Sequence, residues 1–202
     1  MAQTASAPAA GRPLVIFASF AGSLVLGLLV MLWALGDMHK VTTPGAIGGP
    51  FQLTDQSGEL VTEKSLDGRP TLIFFGYTHC PDVCPTTLFE ISEVLRAMGK
   101  DADRVNAYFI SVDPERDNQA AMKDYLSSFD SHLKGLTGDP AAVTQVTKEY
   151  RVYAKKVPLK DGDYTMDHTA LTYLMDRDGK FVAPFNLNRT PQEAAADLVH
   201  YL

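Results

Sequence analysis

The run Thr71-Leu72-Ile73-Phe74-Phe75-Gly76-Tyr77 is apolar almost throughout and leads directly into Thr78-His79-Cys80-Pro81-Asp82-Val83-Cys84-Pro85. A continuous apolar run of this kind is expected of a strand covered on both faces, which requires helices packed above and below a sheet. Leu88, Ile91, Val94, Leu95 and Met98 then recur at helical spacing until Gly99. Strand, loop and helix in that order restrict the chain to a layered α/β arrangement. They also place its only two cysteines at the C-terminal end of a buried strand, where such folds put their sites. Three intervening residues set the two sulfurs on one side of the helix start, about one turn apart. A helix N-terminus favours the thiolate, the form that attacks disulfides and binds soft metals. A structural disulfide fits the spacing less well, because closing so small a loop removes little entropy from the unfolded chain.

The rest of the body alternates in the same way. Residues 51–54 and 60–62 flank Asp55-Gln56-Ser57-Gly58 as a short hairpin, and 105–112 is a second long strand stopped by Asp113-Pro114. Helices are predicted over 118–129 and from Pro140, capped by Asp139, to about Tyr150. A short strand is expected at 133–136 and a turn at Asp161-Gly162-Asp163. Strands at 170–175 and 181–185 follow, and Thr190-Pro191-Gln192-Glu193 opens the last helix. The expectation is a mixed central sheet with helices on both faces; a dithiol after the first long strand makes a thioredoxin-like arrangement the natural candidate, which periodicity alone does not separate from other α/β folds.

Ahead of this body, residues 14–35 carry no charge. About 22 residues at 1.5 Å each cover roughly 33 Å, enough to cross a bilayer core. The expected organisation is a cytoplasmic tail at 1–13, a transmembrane anchor at 14–35, a Gly/Pro/Thr-rich linker at 36–50 and the domain at 51–202. Ala34-Leu35-Gly36 resembles a cleavage site, but the apolar stretch exceeds the usual length of a signal peptide's core. Arg12 before the span, against Asp37 and Lys40 after it, points weakly to an exported body. Net charge is −6 and the basic residues are scattered, which argues against nucleic acid as a partner.

Three blocks in order carry a resemblance. Residues 75–85 resemble the signature of the Sco/SenC family of copper proteins, Ser111-Val112-Asp113-Pro114-Glu115-Arg116-Asp117 its second block, and Asp167-His168-Thr169 its third. The likeness covers 51–202, and an anchor before the domain suits it. It implies a thioredoxin-like domain that binds one copper ion, as Cu(I) or Cu(II), through Cys80, Cys84 and His168. It also implies service in assembling the dinuclear copper centre of cytochrome c oxidase. The partners would be the copper-receiving subunit of the oxidase and a copper donor protein. The bacterial inner membrane, with the domain in the periplasm, is the expected location; a mitochondrial inner membrane facing the intermembrane space is the alternative.

The donor chemistry agrees with this. Thiolates suit Cu(I), imidazole suits both oxidation states, and three protein donors leave one side open to a partner's ligand. Structural zinc usually takes four. The competing function is a thiol-disulfide oxidoreductase using Cys80 and Cys84 to keep the oxidase's copper-binding cysteines reduced. Thioredoxin-like enzymes usually set a proline opposite the dithiol, and Met166-Asp167-His168-Thr169 has none. A thiol peroxidase fits less well, since Thr78 stands two residues before Cys80 rather than three. Of the neighbours, His79 reads as a loop residue, Met166 as packing and Asp82 as shaping the loop. Asp113, Arg116 and Asp117 are expected to fix a turn and cap the next helix. Asp167 is expected to orient His168 by a hydrogen bond.

Overall fold

The computed structural model describes residues 26–31, 46–160 and 162–202. Contacts divide the chain into a first unit, Met1–Pro44, and a second, Gly45–Leu202. Of the first, residues 26–31 are described and are helical. No helix among the described residues is long and apolar enough to cross a membrane. The expected tail at 1–13 lies outside the described residues, as do most of the anchor at 14–35 and the linker up to residue 45.

The second unit holds strands β1 (Gln52–Asp55), β2 (Leu60–Thr62), β3 (Thr71–Gly76), β4 (Asn106–Ser111), β5 (Leu133–Thr137), β6 (Ala154–Pro158), β7 (Tyr164–His168), β8 (Thr172–Met175) and β9 (Phe181–Pro184). Its helices are α1 (Val83–Met98), α2 (Gln119–Leu126), α3 (Pro140–Glu149) and α4 (Pro191–Val199). Seven strands form one sheet in the order β2-β1-β5-β4-β3-β8-β9. β3, β4 and β5 run parallel, and the flanking pairs are antiparallel. The apolar run at 71–77 supplies β3, an inner strand of this sheet that lies between β4 and β8 and is buried at every position.

Alternation along β3 assigns the two faces. On one, Phe74 stacks on Phe109, which tilts against Tyr125 of α2. On the other, Phe75 meets Tyr150, the C-cap of α3, and Tyr173 of β8. Helices therefore cover both faces, and burial of each of these rings stabilises the fold by about 1.5–3 kcal/mol relative to exposure. Caps fix where the helices begin. Asn118 accepts from the Ala121 amide at 3.0 Å, Asp139 from Ala142 at 2.8 Å, and Thr190 forms a capping box with Glu193.

One element is not apparent in the sequence pattern. β6 and β7 form a separate two-stranded hairpin around the turn near residue 162, outside the main sheet. His168 is thus the last residue of β7, paired with Ala154, and the main-sheet strand begins only at Thr172.

Candidate metal centre

β3 ends at Gly76, and the chain turns so that the Cys80 amide donates to the Tyr77 carbonyl. Cys80 lies in this loop, while Cys84 is the second residue of α1. The Cys84 amide, which has no partner within the helix, donates to the Cys80 sulfur at 3.4 Å. Cys84 is fully buried and Cys80 half-buried, and both are free thiols. Burial pushes the Cys84 thiol well above its ordinary pKa; the Tyr77 backbone works against this, and Cys80 and Asp117 add to it.

The hairpin supplies the third group. His168 Nε2 lies 3.6 Å from the Cys84 sulfur, and Nδ1 lies 3.1 Å from the Thr169 carbonyl. A carbonyl only accepts, so Nδ1 carries the proton and donates, and Nε2 presents its lone pair to the sulfurs. Tyr77 meets the imidazole edge-to-face at 5.7 Å between ring centres, and Phe74 does so at 6.3 Å. One ligand atom each from Cys80, Cys84 and His168 lies within 4.8 Å of the other two. Metal bonds of about 2.3 Å to sulfur and 2.0 Å to nitrogen, at a trigonal angle, would separate those donors by about 3.7 Å. The 3.6 Å gap between Cys84 and His168 is close to that, and all three donors lie within 4.8 Å of one another. Cys80 and His168 are each only half-buried, so the site is reachable from solvent.

The neighbours sort differently from the sequence reading in two places. Asp167 is exposed and points to the opposite side of β7 from His168, so the Thr169 carbonyl, not Asp167, orients the ring. Asn118, not the acidic block before it, caps α2. Asp113 does form the turn, accepting from the amides of Arg116 and Asp117. Asp117, fully buried, instead reaches across to the thiol loop: it accepts from the Thr78 amide at 3.1 Å, the Thr78 hydroxyl at 2.6 Å and the Ser111 hydroxyl at 2.7 Å. Burial raises its pKa against the pull of those hydrogen bonds. His79 bonds Thr78 beside it and lies outside the trio, and Met166 packs against the core. The side chain of Asp82 makes no capping bond, while its carbonyl accepts from Thr86. Gly76 leaves the space that the Cys84 sulfur occupies. A lone glycine inside a bulky strand was the available signal for that close approach.

Fold and trio together define a class: a thioredoxin-like domain whose dithiol faces an imidazole across a solvent-reachable gap. Within that class, the chain belongs to the SCO1/SenC family, whose model matches residues 39–202. It is similar to an SCO2-like protein of Rickettsia conorii, 40% identical over 186 residues, covering 84% of this chain and 91% of the relative. It is also similar to the mitochondrial SCO1 homolog of Homo sapiens, 41% identical over 159 residues, covering 77% of this chain and 53% of that one. The solved structure of Bradyrhizobium japonicum ScoI with copper bound is 80% identical, with a TM-score of 0.77, and covers 78% of this chain and all of its own.

Proposed function

We propose that this protein is a membrane-anchored copper chaperone. It binds one copper ion through Cys80, Cys84 and His168 and delivers it to the dinuclear copper centre of cytochrome c oxidase during assembly. The convergence of three soft or borderline donors from two distant chain segments carries this reading. The copper bound by the Bradyrhizobium relative supports it. Three protein donors with a solvent-facing side suit a cargo ion, because an incoming ligand from the acceptor can join before a chaperone ligand leaves. The buried Cys84 sulfur anchors the ion, and the half-buried Cys80 and His168 are the ligands an acceptor reaches first.

The remaining assignments follow the same reading. The partners are the copper-receiving subunit of the oxidase and a copper donor protein. Residues 1–13 form a cytoplasmic tail, 14–35 the anchor, 36–50 the linker and 51–202 the copper-binding domain. The body then lies in the periplasm of a bacterium, tethered to the inner membrane.

Full-length protein, purified reduced and loaded with copper, should hold one equivalent. Cys80→Ala and Cys84→Ala should each fail to retain it, His168→Ala should fail to retain it as Cu(II), and full Cu(II) occupancy in all three would overturn the assignment. The free, neighbouring thiols also suit a thiol-disulfide oxidoreductase, and His168 separates the two readings. Oxidase assembly that survives His168→Ala would favour thiol exchange over delivery.

A further inference from the structure

We propose that Arg116 is a positioning residue for His168: it fixes the β6–β7 hairpin against the thiol loop and so sets the distance between imidazole and sulfurs. This rests on the reading of Cys80, Cys84 and His168 as copper ligands.

The hairpin needs such a strut. It pairs with no strand of the main sheet, and four of the five β6 residues are exposed. A lone two-stranded hairpin is marginal in water, so its place depends on what grips it from outside. Arg116 supplies several of the contacts that grip it, beside the Lys156–Glu115 pair at 2.6 Å. The Arg116 Nη1 donates to the Tyr164 carbonyl at 3.0 Å and pairs with Asp163 at 3.2 Å. Its guanidinium carbon lies 3.7 Å from the centre of the Tyr164 ring. Its Nε donates to Asp113 at 2.5 Å, and Asp113 accepts from the Tyr164 hydroxyl at 2.8 Å. Both ends of Tyr164, backbone and hydroxyl, are therefore tied to one turn.

The same turn holds the other half of the site. Asp117, next in sequence, clamps Thr78 of the thiol loop. The guanidinium also approaches the Tyr77 ring at 5.7 Å, and the Tyr77 hydroxyl bonds Thr165 at 2.7 Å. Residues 113–117 are a bracket with one arm on Thr78 of the thiol loop and one on Tyr164 of the hairpin that carries His168. A lysine cannot replace the second arm, because it lacks the planar fork that makes these directed contacts at once. Burial opposes the Arg116 charge, but Asp113, with Tyr164 and Asp163, more than offsets it and keeps the guanidinium firmly protonated.

Loosening this arm removes the nitrogen donor and leaves the two sulfurs in place. Thiolates select Cu(I), whereas Cu(II) relies on the imidazole, so the two oxidation states should respond unequally. The test compares full-length parent, Arg116→Lys, Tyr164→Phe, His168→Ala and the Arg116→Lys/His168→Ala double variant. Cu(I) affinity is read by chelator competition and Cu(II) by its sulfur-to-copper absorption. Arg116→Lys should lose about 10–100-fold in Cu(II) affinity, the loss typical when a group supporting a ligand is removed, and keep most of its Cu(I) affinity. Tyr164→Phe should lose less, and the double variant should bind no worse than His168→Ala alone.

Hydrogen exchange of the copper-free protein adds a readout independent of metal. Peptides covering 164–169 should exchange faster in Arg116→Lys, while those covering 71–76 stay unchanged. A parental Cu(II) signal with parental exchange in Arg116→Lys overturns the proposal. So does an equal loss of both oxidation states accompanied by faster exchange throughout the domain. A parent that takes up no copper overturns the ligand assignment instead, and exchange then still tests the grip of Arg116 on the hairpin.

Discussion

A β-carbon at position 76 would sit 2.7 Å from the Cys84 sulfur and 2.8 Å from the Phe109 ring. Neither neighbour can retreat easily, since Phe109 is itself stacked on Phe74. Gly76→Ala should therefore cost about 1–3 kcal/mol by overpacking and push the sulfur off its 3.6 Å approach to His168. Thermal unfolding and copper titration of one preparation report the two effects separately. A variant that melts and fills with copper like the parent would show the clearance to be dispensable. Asp167 gives the opposite expectation. Its side chain is exposed on the far side of β7, so Asp167→Asn should leave copper affinity within about twofold, and a tenfold drop would reinstate it as the orienting group. The residue types at the site were legible in the sequence because soft-metal chemistry needs them. The orienting partner was not, because a backbone carbonyl leaves no trace in side-chain identity.

Among the elements, legibility followed burial. β3, β4 and the helix faces announced themselves through apolar runs and spacing, and Asp139-Pro140 and Thr190-Pro191 through cap chemistry. The β6–β7 hairpin escaped because its strands bury little: Lys155, Lys156 and Pro158 face water, so no alternation is written into them. A different junction offers a pH test. At the entry to β5, His132 Nδ1 lies 2.6 Å from Asp130, and Nε2 lies 3.1 Å from Asp103 in the 3₁₀ turn Gly99–Arg104. The Asp130 hydrogen bond, assisted by Asp103 and opposed by partial burial, raises the His132 pKa. The folded state thus binds this proton more tightly than the unfolded chain, whose value is about 6.5. The stabilisation is complete below that value and fades as pH rises through the higher folded pKa. His132→Ala should therefore lower the melting temperature more at about pH 5.5 than at about pH 8.5. With Asp103 largely in solvent, the difference should stay under about 1 kcal/mol. A gap that widens toward alkaline pH would contradict the assignment.

At the scale of the molecule, the site joins two parts of the second unit that lie far apart in sequence: the loop between β3 and α1, and a hairpin outside the main sheet, with Cys84 and His168 separated by 84 positions. The order of three motifs along the chain was readable, and it was their resemblance to the Sco/SenC pattern that implied their convergence. The bracket at 113–117 was not readable, because it acts through contacts to residues about 40 to 50 positions away in either direction. On the proposed ligand set, copper would be a cross-link as well as a cargo. An ion that binds the folded chain and not the unfolded one adds about 2.7 kcal/mol at a hundredfold excess over its dissociation constant. For a body of this size that corresponds to a rise of about 5–10 °C in melting temperature. The rise should accompany faster-to-slower exchange in peptides covering 164–169, the segment the ion pins. Removing either end of the cross-link, by Cys84→Ala or His168→Ala, should abolish both effects of Cu(II), whereas an alanine at exposed Asp167 should preserve them. If copper stabilised His168→Ala as much as the parent, the ion would be held by the thiol loop alone, and the hairpin would have no part in binding the cargo.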